Sequence, residues 1–212
     1  MDIFSTPIYH ITHIDNLTSI ITSGGLIANS RLKIQQTNYL DIAHGHIQDR
    51  RATTKVPCSA GGYLHDYVPF YFAPRSPMLY AIHKQNVDSY SGGQQPIIHL
   101  VSEAHTIHSL KLKFAFTDGH AIMAYSEFYD DISDLQSVID WELMKSKYWA
   151  NTPDDPNRKW RRQAEFLVYE NCPWSSIQGI GVINKTIAQQ VQLILTAFNI
   201  QVPVNIYPNW YY

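Results

Sequence analysis

Charged residues are scarce in this 212-residue sequence, at 16% against roughly 25% in an average soluble protein. The 16 Lys and Arg nearly balance the 18 Asp and Glu, which gives a formal net charge of -2. This balance excludes a highly basic protein that coats nucleic acid, but it allows a local basic site. A chain of this length can bury roughly 70% of its unfolded surface, and we expect one domain that spans residues 1–212.

Cysteine is also rare, and the two present, Cys58 and Cys172, have no metal-binding spacing. A disulfide framework is therefore not expected, which fits a reducing compartment. The first residues lack a basic region followed by an apolar core, and no apolar run approaches the roughly 18 residues that span a bilayer. We expect a monomeric, cytoplasmic protein that does not enter a membrane.

The common phosphate-binding and metal-binding motifs are missing. There is no Walker A loop, no GxGxxG after a strand, no HExxH helix and no internal repeat. His44 and His46 lie two apart, which suits a metal site on a strand but not on a helix, and we expect no metal. Aromatic residues, by contrast, make up 13%, with 14 Tyr and 5 Trp. Such rings can form stacking surfaces for bases or nicotinamide, although a large core uses the same rings.

The hydrophobic pattern predicts short helices early in the chain and strands later. Predicted strands cover 7–14, 68–73, 97–101, 114–116, 165–169, 180–183 and 202–207. Predicted helices start after Asp15 or Asn16, cover 40–51, start at Pro77 with Ser76 as N-cap, and cover 131–147 and 185–198. Residues 158–162 are predicted to form a charged loop. Because strands and helices do not alternate regularly, we expect an α+β fold with a mostly antiparallel or split sheet.

Polar residues inside apolar strands are the candidates for chemistry. Alternation along the first strand places His10 and Thr12 on one face. Glu165 opens an apolar strand, where a carboxylate is costly unless it is solvated, paired or used. Arg51 ends a predicted helix. Taken singly, each has a structural explanation, such as a histidine whose ring is hydrogen-bonded within the fold, or an arginine that offsets the helix dipole.

Four blocks taken together resemble a known family. They are Ile8–Leu17, Ile47–Arg51, Leu64–Tyr80 and Gln163–Tyr169, and they follow one another along nearly the whole chain. The chain resembles DarT, a family of DNA ADP-ribosyltransferase toxins within the wider ADP-ribosyltransferase fold. The resemblance implies an α+β, PARP-like fold with split, mostly antiparallel sheets and flanking helices. It also implies NAD as co-substrate, single-stranded DNA as acceptor and the macrodomain antitoxin DarG as partner.

The resemblance also assigns cofactor-binding residues. His10 and Thr12 match the His-x-Thr element that holds the adenosine ribose and the nicotinamide amide of NAD. Tyr71 matches the strand aromatic that stacks on nicotinamide. Asn16 and Arg51 complete the set of residues expected to contact NAD.

Arg51 and Glu165 match the catalytic pair of the family. The nicotinamide of NAD is already a cationic leaving group, so cleavage needs a stabilised, oxocarbenium-like ribose more than it needs an acid. A nearby carboxylate can stabilise that charge. Because a guanidinium stays charged in proteins, we hypothesise that Arg51 stabilises the deprotonated base or the NAD phosphates. Glu165 would then help to remove the proton from the base.

Residues 148–162 correspond to the substrate-recognising loop that precedes the glutamate in the family. The run Arg158–Arg162 places four cations around one tryptophan, a pattern suited to gripping a single strand. The full set of predicted DNA contacts is Met78, Tyr80, His120, Trp149, Arg158, Lys159, Trp160, Arg161 and Arg162. The alternatives are core packing for Met78, Tyr80 and Trp149, a surface turn for His120, and a solvated loop for the basic run.

The acceptor base must be unpaired, because pairing hides its reactive edge. The family acts on thymine in one branch and guanine in another, and thymine is expected here from the resemblance alone. Two alternatives remain open. An enzyme of the same fold could modify RNA or protein or hydrolyse NAD, in which case NAD consumption would be indifferent to DNA. A non-catalytic module could bind single strands, in which case NAD would not be consumed.

Overall fold

Short helices and longer strands follow one another irregularly, as expected for an α+β fold. The computed structural model describes residues 5–35 and 39–212. Its helices are α1 (Leu17–Thr22), α2 (Asn29–Ile34), α3 (Gly45–Thr53), α4 (Pro77–His83), α5 (Ala104–Ser109), α6 (Leu135–Val138), α7 (Trp141–Lys145), α8 (Arg158–Arg161) and α9 (Lys185–Ala197). Its strands are β1 (Pro7–His13), β2 (Gly25–Ile27), β3 (Tyr67–Tyr71), β4 (Ile97–Glu103), β5 (Phe114–His120), β6 (Phe128–Tyr129), β7 (Ala164–Tyr169), β8 (Asn171–Pro173), β9 (Gly179–Val182) and β10 (Val204–Ile206).

The main sheet has the strand order β10-β9-β4-β1-β3-β7-β5-β6, and β2 pairs with β8 in a separate ribbon. Neighbouring strands run antiparallel except for β9 and β10, so the predicted mostly antiparallel arrangement is confirmed. Strand β7 lies between β3 and β5 and is almost entirely buried, which explains its continuous apolar run.

The main sheet is split between β1 and β3. Strand β1 pairs with β4 along its whole length, but it meets β3 at the single pair Tyr9 and Tyr71. Pro69 of β3 has no N–H to offer to a neighbouring strand. Its carbonyl oxygen accepts instead from the ring of His10, 2.8 Å away. The two strands therefore diverge and leave polar side chains facing a gap.

The hydrophobic core fixes the strands on both sides of this gap. Phe70, Phe116 and Phe166 are fully buried, and the rings of Phe116 and Phe166 lie parallel with centroids 6.5 Å apart. Helix α9 adds Val191 and Leu195 to the same core cluster. Its amphipathic pattern was predicted over 185–198, which agrees with the structure to within one residue.

One predicted helix begins later than its sequence pattern indicated. The prediction covered 40–51, whereas α3 begins at Gly45. The side chain of Asn16 binds both the N–H and the carbonyl oxygen of Leu40, and the Asp41 carboxylate accepts from the N–H of Ala43. These bonds hold the backbone in a non-helical conformation before α3.

A second predicted helix, 131–147, is interrupted. A turn of 3-10 helix and α6 occupy its first half, and α7 starts anew at Trp141. The cause is Asp140, whose side chain accepts from the N–H of Leu143 at 3.0 Å and caps α7.

Several short elements were not predicted. Residues 158–162 were expected to form a loop but contain the single turn α8, and β2, α2, α5, β6 and β8 had no prediction. Elements of two to six residues carry too little periodicity to be recognised. No helix within the described residues is long and apolar enough to cross a bilayer.

Candidate active site

A cleft with a volume of about 210 Å³ opens where β1 and β3 diverge. Its wall combines side chains from elements that are far apart in the sequence. They are His10 and Thr12 of β1, Arg51 of α3, Tyr71 of β3 and Glu165 of β7. The fold thus gathers in one place the residues that the four sequence blocks had singled out.

Glu165 and Arg51 form a buried ion pair in the cleft. Arg51 Nη1 donates to Glu165 Oε2 over 2.7 Å, and only 9% and 4% of the two side chains are exposed. Glu165 also stands opposite Tyr71 in the register of β3 and β7. The carboxylate that opens the apolar strand is therefore paired rather than solvated.

The surroundings of Glu165 keep its carboxylate ionised. Burial alone would raise the pKa of Glu165, but Arg51 and His120 outweigh it and leave the pKa lowered to about 2. His120 Nδ1 lies 3.5 Å from Glu165 Oε1, and this oxygen accepts a hydrogen bond from the N–H of Ala121 at 3.3 Å. A carboxylate held this way suits the stabilisation of positive charge. It is a weak proton acceptor as long as Arg51 binds it.

Arg51 has hydrogen-bonding capacity to spare. Its Nη2 is buried and has no hydrogen-bond partner among the described residues. Buried donors without an acceptor are uncommon in folded proteins and call for an explanation such as a functional role. A carbonyl or anionic oxygen of a bound molecule could satisfy Arg51 without disturbing the bond from Nη1 to Glu165.

His10 is neutral and has one defined acceptor. Because the carbonyl of Pro69 can only accept, the proton lies on His10 Nδ1, and Nε2 keeps its lone pair. Burial lowers the pKa of His10 more than the bond to Pro69 raises it. The ring therefore offers a neutral acceptor that suits a sugar hydroxyl.

Asn16 lines the cleft but is engaged by protein groups. Its Nδ2 donates to Thr12 Oγ1 at 3.1 Å and to the carbonyl of Leu40 at 2.9 Å, while its Oδ1 accepts from the N–H of Leu40 at 2.7 Å. In this structure Asn16 orients Thr12 and fixes Leu40 at the cleft, and its direct contact with NAD stays a prediction.

A larger groove of about 850 Å³ adjoins the cleft. Tyr71, Met78 and His120 line both the cleft and the groove, so they mark the place where the two meet. Three further predicted DNA contacts also line the groove, namely Tyr80, Trp149 and Lys159. Tyr80 is 38% exposed and Trp149 is half-buried, so core packing does not account for either ring.

Arg162 does not belong to the groove. It is 3% exposed, and its Nη1 donates to the carbonyl oxygens of Leu143 and Met144 at 2.6 Å each. Its Nη2 donates to the carbonyl of Arg75 at 3.1 Å. The expectation that Arg162 binds DNA is wrong, because this guanidinium holds the end of α7 against the segment before α4.

The other cations of the basic run are only partly available. Arg161 is held by Asp140 and Asp155, with its Nε 3.0 Å from one carboxylate and its Nη2 2.6 Å from the other. These two carboxylates offset its charge, and its predicted contact with DNA stays a prediction. Arg158 donates to the carbonyl of a neighbouring loop residue at 2.8 Å. Lys159 is exposed, lines the groove and has no ion-pair partner among the described residues.

The ring of Trp160 packs against β5. Its ring covers Gly119 so closely that a Cβ at that glycine would lie 2.1 Å from it. Its Nε1 donates to Ser126 Oγ at 2.8 Å, which in turn donates to the carbonyl of His120 at 2.7 Å. The ring of Trp160 therefore packs on β5, and its stacking on a base stays a prediction. In the sequence, the isolated Gly119 was the sign that a side chain approaches the backbone closely here.

Arg75 and Tyr212 line the groove but were not predicted from the sequence. Arg75 lies inside the block Leu64–Tyr80, and a lone arginine after an apolar strand was the available signal. Tyr212 also lines the groove. It gave no signal, because the Arg75 backbone that it contacts lies 137 residues earlier in the chain.

Comparison with known proteins places this geometry in a family. A family model described as "ssDNA thymidine ADP-ribosyltransferase, DarT" matches residues 9–212. The DNA ADP-ribosyl transferase of Thermus sp. (strain 2.9) is 46% identical over 209 residues, which cover 98% of this chain and 96% of that protein. The chain belongs to the DarT family. It is accordingly an NAD-dependent DNA ADP-ribosyltransferase with the α+β fold of that family.

Solved structures agree with this membership. Thermus sp. 2.9 DarT in complex with ADP-ribosylated ssDNA has a TM-score of 0.91 to this chain at 44% identity, with 98% and 97% of the two chains covered. The same protein in complex with NAD+ has a TM-score of 0.86 at 41% identity, with 98% of each chain covered. A DNA ADP-ribosyl transferase-DNA ADP-ribosyl glycohydrolase fusion protein of Thermosipho africanus is 25% identical over 92% of this chain and 47% of the fusion.

Proposed function

We propose that this chain, acting as a single domain, transfers ADP-ribose from NAD to a thymine base of single-stranded DNA at the junction of the cleft and the groove. The observation that carries this proposal is that Tyr71, Met78 and His120 line both spaces, beside the buried pair of Arg51 and Glu165. A dinucleotide in the cleft and a strand in the groove would meet at this pair.

NAD would occupy the cleft. The Nε2 lone pair of His10 can accept from a hydroxyl of the adenosine ribose, and Thr12 lies on the same face of β1. The ring of Tyr71 at the junction can stack on nicotinamide, and burial raises the pKa of its hydroxyl, so it stays neutral. These contacts would place the nicotinamide–ribose bond next to Glu165.

Glu165 would act first through its charge. When the bond between ribose C1′ and the nicotinamide nitrogen breaks, positive charge develops on the ribose. The Glu165 carboxylate is ionised and buried, so it faces this charge in a site with little water to screen it.

Arg51 and Glu165 would then act on the thymine. Its ring N–H loses a proton before the nitrogen bonds to C1′, and until that bond forms the negative charge is shared with the carbonyl oxygens of the base. The spare Nη2 of Arg51 can donate to such an oxygen. Sharing Arg51 with a second anion raises the pKa of Glu165, which can then accept the proton.

The DNA would lie along the groove as a single strand. Transfer to the ring N–H needs an unpaired base, since pairing covers that edge. The groove offers the rings of Tyr80 and Trp149 to bases and the exposed Lys159 to a phosphate.

A macrodomain antitoxin of the DarG type is the expected partner in the bacterial cytoplasm. The fusion of a DNA ADP-ribosyl transferase with a DNA ADP-ribosyl glycohydrolase in Thermosipho africanus supports this assignment, because it joins the addition and the removal of one mark in one chain. The partner would hydrolyse the ADP-ribosyl group from DNA.

Oligonucleotides that differ in one base test the proposal. The protein is incubated with NAD and each strand in turn, and mass analysis locates any added ADP-ribose. We expect an adduct on the thymidine-containing strand, none on its counterpart without thymidine, and none with Glu165→Gln. An adduct on another base, or modification only of RNA or protein, would contradict the assignment.

A further inference from the structure

The guanidinium of Arg75 belongs to the groove and has no acceptor among the described residues. Its Nε is buried and has no hydrogen-bond partner, and no carboxylate among the described residues forms an ion pair with it. A second cation, Arg162, lies close by and donates to the backbone carbonyl of Arg75. An arginine in this position is ready to bind an acceptor that comes from outside the protein.

The guanidinium of Arg75 lies over an aromatic ring. Its Cζ lies 4.3 Å from the centroid of the Tyr212 ring. Hydrogen bonds hold Tyr212 in place through its hydroxyl and through its backbone. The hydroxyl donates to the carbonyl of Arg75 at 3.0 Å and accepts from Trp149 Nε1 at 2.9 Å. Its backbone is bonded to the side-chain amide of Gln94. This support fixes the direction in which the guanidinium can donate.

The surroundings of Arg75 favour a base over a phosphate. The ring of Tyr80 lies 5.0 Å from that of Tyr212 and 5.7 Å from that of Trp149, measured between centroids. Aromatic walls of this kind stack on bases, while phosphates are met by exposed cations. Lys147 and Lys159 are such cations, and both are exposed residues of the same groove.

We propose that Arg75, supported by Tyr212, reads the identity of a base that neighbours the target thymidine, by donating to acceptor atoms on the edge of that base. This inference rests on the proposed function, since it requires a DNA strand in the groove. The planar fork of arginine suits paired acceptors such as O6 and N7 of guanine, and a good bidentate contact discriminates against a wrong base by about 5- to 150-fold.

Replacement of Arg75 by lysine tests this role while keeping the positive charge. The substrates are oligonucleotides with one thymidine, in which each flanking position is varied through A, C and G so that no second thymidine is present. We expect the parent to prefer one base at one flanking position, and Arg75→Lys to lose that preference by about 5- to 150-fold in kcat/KM. The KM for NAD should not change.

A matched control is Arg31→Lys, since Arg31 pairs with Glu170 and lines neither the cleft nor the groove. It should keep the flanking-base preference of the parent. Tyr212→Phe, which removes the hydroxyl that anchors Trp149, should weaken the preference without altering the KM for NAD.

Two results would overturn the inference. One is an Arg75→Lys variant that keeps the full flanking-base preference. The other is an Arg75→Gln variant that loses affinity equally for all strands and lowers the salt slope of DNA binding, which would assign Arg75 to a phosphate. A parent protein that modifies no strand would contradict the proposed function itself, which keeps the two failures distinguishable.

Discussion

Replacement of Glu165 by glutamine removes one charge from the buried pair and keeps the shape of the side chain. Arg51 would lose the carboxylate that now lies 2.7 Å from its Nη1, in a place where only 9% of its own side chain is exposed. Removing one partner of a buried pair costs about 3–5 kcal/mol, and we take about 3 because glutamine retains an oxygen acceptor. At roughly 2–4 °C per kcal/mol for a chain of this size, Glu165→Gln should melt about 6–12 °C below the parent.

Thermal unfolding followed by circular dichroism, without NAD or DNA, measures this effect. The matched variant is Arg51→Met, alone and combined with Glu165→Gln, which completes a double-mutant cycle. The double variant should be more stable than the sum of the single losses predicts, since it leaves no uncompensated charge. Strictly additive losses, or single variants as stable as the parent, would refute the reasoning about the pair.

Activity separates the chemical role of the pair from its structural role. The double variant should recover stability but not transfer, because loss of an electrostatic group in an active site costs about 100- to 1,000-fold in rate. Transfer activity that recovered together with stability would mean that the pair only holds the fold.

Four further outcomes follow from the structure. Because the folded-state pKa of Glu165 is lowered to about 2, its contribution is present at neutral pH and lost in acid, so urea titrations should show the stability gap between parent and Glu165→Gln shrinking from about pH 5 downwards. Lys159→Gln should lower the salt slope of single-strand binding by about 0.7. Arg162→Gln should mainly lower the melting temperature, because it leaves buried backbone carbonyls without donors. Gly119→Ala should cost about 1–3 kcal/mol of unfolding free energy by displacing Trp160, and should reduce transfer as well.

The sequence predicted the catalytic cleft better than the groove. His10, Thr12 and Glu165 stand out because a polar side chain inside an apolar strand needs a partner or a use, and that argument depends only on neighbouring residues. Arg51 gave no such signal by itself. Its relation to Glu165 spans 114 residues and came from the resemblance of whole blocks.

The sequence could not show which cations near the groove are free, because contacts with distant residues decide it. Arg161 and Lys159 look alike in the sequence, yet one is bound by two carboxylates and the other is free in the described part of the chain. The position of Arg75 depends on Tyr212, which no local pattern connects to it. The core strands, in contrast, follow from runs of apolar residues and were placed to within a few positions.

The account depends on NAD cleavage and DNA modification being one reaction at one junction. The most direct measurement is the amount of nicotinamide released per ADP-ribose gained by a thymidine oligonucleotide, as the strand is titrated into protein and NAD. We expect a ratio near one, and release that rises with the strand and falls when thymidine is replaced. The account would be contradicted if nicotinamide were released equally well without DNA, so that far more nicotinamide was released than ADP-ribose was transferred.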